Sequence, residues 1–95
     1  MSVYMVIEIK VNNPPMYNKY IKKVPDIIEK YGGKYVVRSE DINTLSGDWD
    51  PERMIIIKFE NEKQIQECFS SEEYQKIAPL RENSTESKAI LIKES

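Results

Sequence analysis

The sequence predicts an α+β sandwich in which helices cover one face of a four-stranded antiparallel sheet. Three observations carry that expectation. Residues 1–11 alternate with period two, placing Val3, Met5, Ile7, Ile9 and Val11 on one face and Glu8 and Lys10 on the other, as a half-buried strand does. Tyr17, Tyr20, Ile21, Val24, Ile27, Ile28 and Tyr31 recur at three- and four-residue steps, the stripe of an amphipathic helix. All three glycines, the only tryptophan and two of the three arginines then crowd between Gly32 and Arg53, where special backbone geometry and specific side-chain chemistry are needed.

The elements follow in order. Asn12 and Asn13 break the first strand, and Pro14-Pro15 has the preset φ suited to a helix start. Pro25 lies inside the helical stripe, where a lost backbone bond costs about 3 kcal/mol or more, so a kink or two shorter helices sharing one buried face are expected. Gly32-Gly33 closes the helix. A strand from Lys34 carries Tyr35, Val36 and Val37, is interrupted at Glu40-Asp41 and resumes with Ile42 and Leu45, which reads as a long strand with a bulge in its middle. Residues 46–51, SGDWDP, are turn chemistry, and Met54 to Glu60 is an apolar strand. Asn61 with Gln64 resembles a capping box opening a short helix with Ile65, Cys68 and Phe69 on one face. A further turn runs from Ser70 or Ser71 through Ile77 and is interrupted by Pro79, and Ala89 to Ile92 forms a closing strand.

The resulting order, β-α-β-β-α-β, is the split form of a ferredoxin-like sandwich. Ile55–Ile57 and Ile90–Ile92 are apolar on both faces, whereas helices can cover only one. A second copy packed sheet against sheet would cover the other, giving a dimeric α/β-barrel with a pocket in or beside the interface.

Ninety-five residues allow one domain, residues 1–95, with a modest core. Fourteen basic against sixteen acidic residues, with no basic block, argue against a nucleic-acid partner. A lone cysteine leaves no internal disulfide, and no apolar run approaches the ~20 residues needed to span a bilayer, so neither a membrane partner nor a targeting segment is expected and the expected address is cytoplasmic.

The absence of histidine removes His-based triads, imidazole haem ligation and most zinc sites; no metal and no cofactor are expected. Catalysis would fall to carboxylates, tyrosines, arginines or Cys68, and Cys68 shares an apolar helical face as a small hydrophobe does. Only Arg38, Arg53 and Arg81 are arginines in a lysine-rich chain. A guanidinium presents a rigid fork that suits a carboxylate or phosphate, so these three either bind an acidic ligand or form internal ion pairs, for instance with Glu52 or Glu82. Trp49, between Asp48 and Asp50 at a hairpin tip, either packs against a partner subunit or loop or reaches the mouth of a pocket. The two aspartates read as turn caps. Tyr17, Tyr20 and Tyr31 are core or interface residues whose hydroxyls could reach a cavity.

The segments VPDIIEKYGGKYVVR, GDWDPERMIIIKFE, SSEEYQKIAPLRE and AILIKE together resemble the domain-of-unknown-function family 1330, within the dimeric α/β-barrel superfamily. The resemblance runs from Tyr4 to Glu94 and implies ferredoxin-like protomers, a homodimer and a cleft near its interface, with no known reaction. Its recurring polar and aromatic positions correspond to Tyr31, Arg38, Trp49, Glu52, Arg53, Tyr74 and Arg81. Related dimeric barrels include cofactor-independent monooxygenases and muconolactone isomerase-like enzymes. The expected function is therefore a cofactor-independent enzyme acting on a small anionic carboxylate or carbonyl metabolite. Arg38, Arg53, Arg81, Trp49 and Tyr74 would bind the ligand, and Glu52 or Tyr31 would move a proton. The alternative is a noncatalytic module that binds a small molecule or a partner protein.

Overall fold

Alternation along Val3–Val11 produces strand β1, with Val3 and Ile9 buried beneath the helices. The computed structural model describes residues 1–95. Helix α1 spans Pro14–Lys30; the Asn13 side chain accepts a bond from the Met16 amide at 3.3 Å, and the two prolines occupy the first helical positions. Pro25 does not divide α1 into two helices. Val24 and Ile28, on either side of it, are buried in the core, and their packing outweighs the one lost backbone bond.

Gly32, at φ +93°, takes the left-handed turn that ends α1. At Gly33 the constraint is space, because a Cβ there would come within 2.6 Å of Ile28 Cγ2 and 2.8 Å of Phe59 Cζ. Strand β2, Lys34–Ser39, follows, and β3, Arg53–Phe59, returns antiparallel to it. The expected long strand is shorter than its apolar residues suggested. The Ser39 hydroxyl accepts the Asp41 amide at 3.0 Å, turning the chain out of the ladder, and Leu45 is 98% exposed. The bulge lies earlier than expected: Tyr35 pairs with Ile57 while Val37 pairs with Ile56, which leaves Val36 as the extra residue.

Asn61 caps α2, Glu62–Ser70, by accepting the Gln64 amide at 2.9 Å, and Gln64 Oε1 in return accepts the Glu60 amide at 2.9 Å. Ser71 ends α2 and caps α3, Glu72–Glu82, through Tyr74 N at 3.1 Å, so the second helical region is two helices, with Pro79 inside the second. Strand β4, Thr85–Lys93, begins four residues before the apolar run that announced it. The sheet order is β2-β3-β1-β4, antiparallel throughout.

The core closes one end of the space between sheet and helices. Phe59, Ile28 and Cys68 are almost fully buried there, and Phe59 meets Phe69 edge-on at 6.5 Å. Burying a side chain of Phe59's size contributes about 1.5–3 kcal/mol. The opposite sheet face has no helix over it. Ile90 and Ile92 are 61% and 48% exposed on it, beside half-buried Val6 and Ile56. No helix is long and apolar enough to cross a membrane.

Candidate functional site

Strand register sets the site. On the helix-facing side, Arg38 pairs with Ile55, Ile55 with Ile7 and Ile7 with Ala89, forming one row across all four strands. In the adjacent row Arg53 pairs with Ile9 and Ile9 with Ser87. The bulge at Val36 brings Arg38 onto the same face as Tyr35; without the extra residue, alternation would have put it on Val36's face, as the sequence pattern suggested. The Arg38 guanidinium lies 4.3 Å from the Tyr35 ring centroid, a cation–π contact.

Above these rows the helices stand off the sheet. Helix-facing β4 positions hold the short side chains of Ser87 and Ala89, and α3 presents Ala78 opposite. The result is a cleft of ≈ 460 Å³ with a mainly apolar lining, bordered by Arg38, Arg53 and Arg81. This lies within the ordinary range for small-molecule sites.

The three guanidiniums are held differently. Arg53 donates from Nε to the Tyr17 hydroxyl at 3.2 Å and from Nη1 to Glu40 at 3.3 Å, with Glu40 itself 72% exposed. Arg81 donates from Nε to the Tyr74 hydroxyl at 3.2 Å and from Nη1 to Ser87 Oγ at 2.7 Å, both hydroxyl partners. Arg38 has its aromatic contact and no carboxylate within ion-pair distance. Glu82 is the one carboxylate lining the cleft, and it is exposed.

The tyrosines are linked to the arginines. The Tyr20 and Tyr74 hydroxyls are 2.9 Å apart in a buried hydrogen bond, which continues the chain from Arg81. Burial, then the neighbouring Tyr74, drives the Tyr20 phenol far above its ordinary range, so it is a neutral O–H group at physiological pH. Burial pushes the Tyr35 phenol up to about 12 despite the opposing Arg38 charge. Cys68 is a buried thiol pushed up to about 11 by desolvation, a poor nucleophile.

Of the residues singled out in the sequence, Arg38, Arg53, Arg81 and Tyr74 come together at this cleft, with Tyr17 and Tyr20 of α1. Tyr31, Glu52 and Trp49 do not. Tyr31 lies outside it, donating to Glu73 at 2.7 Å while Lys30 pairs with the same carboxylate at 2.6 Å. These two partners hold the Glu73 carboxyl below its usual range. Glu52 is exposed in the segment before β3. Trp49 is on the uncovered sheet face, 58% exposed, with its indole N–H donating to Glu8 at 2.6 Å beside Ile90. The cleft therefore lies on the helix side of the sheet, opposite the exposed apolar face. Tyr35 and Ser87 line the cleft and went unmarked in the sequence. A signal for Ser87 existed: small residues at helix-facing positions of a strand leave room rather than fill it.

The family model described as Domain of unknown function (DUF1330) matches residues 2–95. The chain belongs to the DUF1330 family. Its ferredoxin-like α+β fold recurs in solved structures of low sequence identity. A protein of unknown function from Rhodopseudomonas palustris aligns with a TM-score of 0.85 at 17% identity, covering 99% of this chain and 82% of that one. SnoaB, a cofactor-independent oxygenase from Streptomyces nogalater, aligns at 0.72 and 13% identity over 99% of this chain and 93% of its own. A dimeric ferredoxin-like protein of unknown function from Jannaschia sp. CCS1 aligns at 0.73 and 5% identity over 99% and 100%. No protein of curated function matches this DUF1330 chain in sequence.

Proposed function

We propose that this DUF1330 protein is a small cofactor-independent enzyme that binds an organic anion with an apolar body in the cleft between its helices and its sheet. The observation that carries the reading is the arginine arrangement: three guanidiniums border a mainly apolar cleft, and one exposed carboxylate, Glu40, is the only ion-pair partner among them. Arg81 is half-buried with only hydroxyl partners and Arg38, at the exposed edge, keeps its whole fork free, so a ligand carboxylate would supply two parallel acceptors to either. Tyr20, Tyr74 and Arg81 form a preorganised donor chain, suited to an oxygen that gains negative charge during reaction. Glu82 is the carboxylate nearest to hand for a proton, ahead of Glu52 and Tyr31, which lie away from the cleft. SnoaB shares the fold and is described as working without a cofactor, an analogy of fold rather than of site.

Two copies pairing through the exposed sheet face complete the proposal, in a reducing cytoplasmic setting that suits the single buried thiol. Exposed Ile90 and Ile92 support the pairing, as does the dimeric state of the ferredoxin-like Jannaschia protein. Noncatalytic holding of the anion is the second reading, favoured by the exposure of Glu82, which leaves no buried general base in the cleft.

A thermal-shift screen of small carboxylic acids against their primary amides tests the site. Acids should raise the melting temperature and amides should not, and Arg38→Lys should weaken the effect while leaving the unliganded melt unchanged. A screen in which no acid stabilises the protein, together with an Arg38→Lys variant that melts lower, would make Arg38 structural and remove the anion site. Turnover of a stabilising acid then separates the enzyme from the noncatalytic module.

A further inference from the structure

We infer that the cleft selects a two-headed ligand, an elongated apolar molecule with an anionic oxygen group at each end; this rests on the anion site proposed above. Among the three arginines, Arg53 has a carboxylate partner within the protein, and Arg38 and Arg81 do not. Those two lie at opposite lateral edges of the cleft. Arg38 is on β2, one edge of the sheet, while Arg81 reaches over the other edge to bond Ser87 of β4 at 2.7 Å. Three strand spacings, roughly 14 Å at ~4.8 Å each, separate the backbones of the two edges. The floor between them is apolar: the row that starts at Arg38 continues through Ile55 and Ile7 to Ala89.

A ligand with a single carboxylate could engage one of these edges and would forgo the second charge-assisted contact, at half-buried Arg81 or at the free fork of exposed Arg38. A diacid satisfies both. The two ends are not equivalent, which fixes the order of binding groups along the molecule. Arg38 offers a whole guanidinium fork against Tyr35, suited to a bidentate carboxylate. Arg81 has two of its five N–H groups engaged by Tyr74 and Ser87, and those hydroxyls extend the donor set around it. This second end accepts a carboxylate or an enolate oxygen. The body between them is held by contact with the isoleucines and with the tyrosines of α1 overhead, which gives a preference for length.

Calorimetric titration with succinate, adipate, suberate and terephthalate, each beside its own half-amide, tests the inference. A half-amide keeps length and shape and removes one charge. One diacid length should bind about tenfold more tightly than its half-amide, and both Arg38→Met and Arg81→Met should reduce the diacid to half-amide affinity. Diacids and half-amides of equal affinity at every length would overturn the two-headed ligand and leave the anion site standing. Failure of every acid to bind would remove the anion site itself, and this inference with it. Circular dichroism melts check that the variants fold; should Arg81→Met unfold, Arg38→Met at the exposed sheet edge decides alone.

Discussion

The two faces of one sheet differ in what their side chains are for. Along β3, Arg53, Ile55 and Ile57 face the helices and Met54 and Ile56 face away. The inward face combines a tightly closed end, around Phe59 and Ile28, with an open end bordered by guanidiniums and phenols. The outward face carries an apolar strip, Val37, Ile56, Val6 and Ile90, flanked by charged residues such as Lys58, Lys88 and Glu8, the last of which accepts the Trp49 indole N–H. Period-two alternation thus gives one seven-residue strand an arginine-bordered cleft on one side and the uncovered sheet face on the other. With the two regions on opposite faces, the pairing proposed above would leave each copy's cleft uncovered.

The contrast can be broken most forcefully at the closed end. Phe59→Ala should cost about 3–5 kcal/mol in urea unfolding, because Phe59 is 1% exposed and the site cannot collapse around Gly33. Ile90→Ala on the outer face should cost less than about 1 kcal/mol in the isolated protomer. Equal losses at the two positions would show that the outer face is part of the protomer's core. The next largest effect concerns assembly: light scattering at micromolar concentration should give about twice the 11.2 kDa chain mass. Ile90→Lys should return that mass to a single chain with its secondary structure retained. A wild-type protein of single-chain mass would leave the outer face without the occupant proposed for it.

Alkali should act on the inner face. Cys68 rises from 9.0 to about 11 and Tyr35 from 10.0 to about 12, with Tyr20 raised further still. The folded state holds these protons to higher pH than the unfolded chain does, so their contribution is complete below pH 9 and is lost as pH rises through the folded values. Melting temperature should therefore fall steadily above pH 9, tracked by tyrosinate absorbance, and a flat profile to pH 12 would contradict the burial of these groups. The smallest effect lies outside both faces, at Glu73. Its lowered carboxyl stabilises α1 against α3 above the ordinary carboxylate range and stops doing so as pH falls through the lowered value. The pair is exposed and screened, so Glu73→Gln should move the melt barely beyond detection.

Much of the fold was legible because local chemistry and tertiary packing agree in this chain. The strand alternation of β1, the Asn61 and Gln64 cap and the Gly32-Gly33 stop all stand where their residue types belong. The restart at Ser71 stands where expected, whereas disagreement arose at Ser39, whose hydroxyl turned the chain away from Ile42 and Leu45, and at Pro79, which α3 runs through to Glu82. Scarcity of arginine singled out Arg38, Arg53 and Arg81, and all three lie at one cleft. Their placement around one cleft depended on the Val36 bulge and on strand register, neither of which composition encodes. Trp49 was conspicuous for the same reason of rarity, yet it belongs to the outer face.

The most direct test of the division between the two faces is an NMR titration of the wild-type protein with the diacid that binds best in the length series. The account predicts shifts at the Arg38, Arg53 and Arg81 side chains and at the Tyr35 and Tyr74 rings, with the Trp49 indole N–H and Ile90 unmoved. Shifts at Trp49 and Ile90 with the arginines silent would contradict it, and would place the ligand site on the face assigned here to assembly.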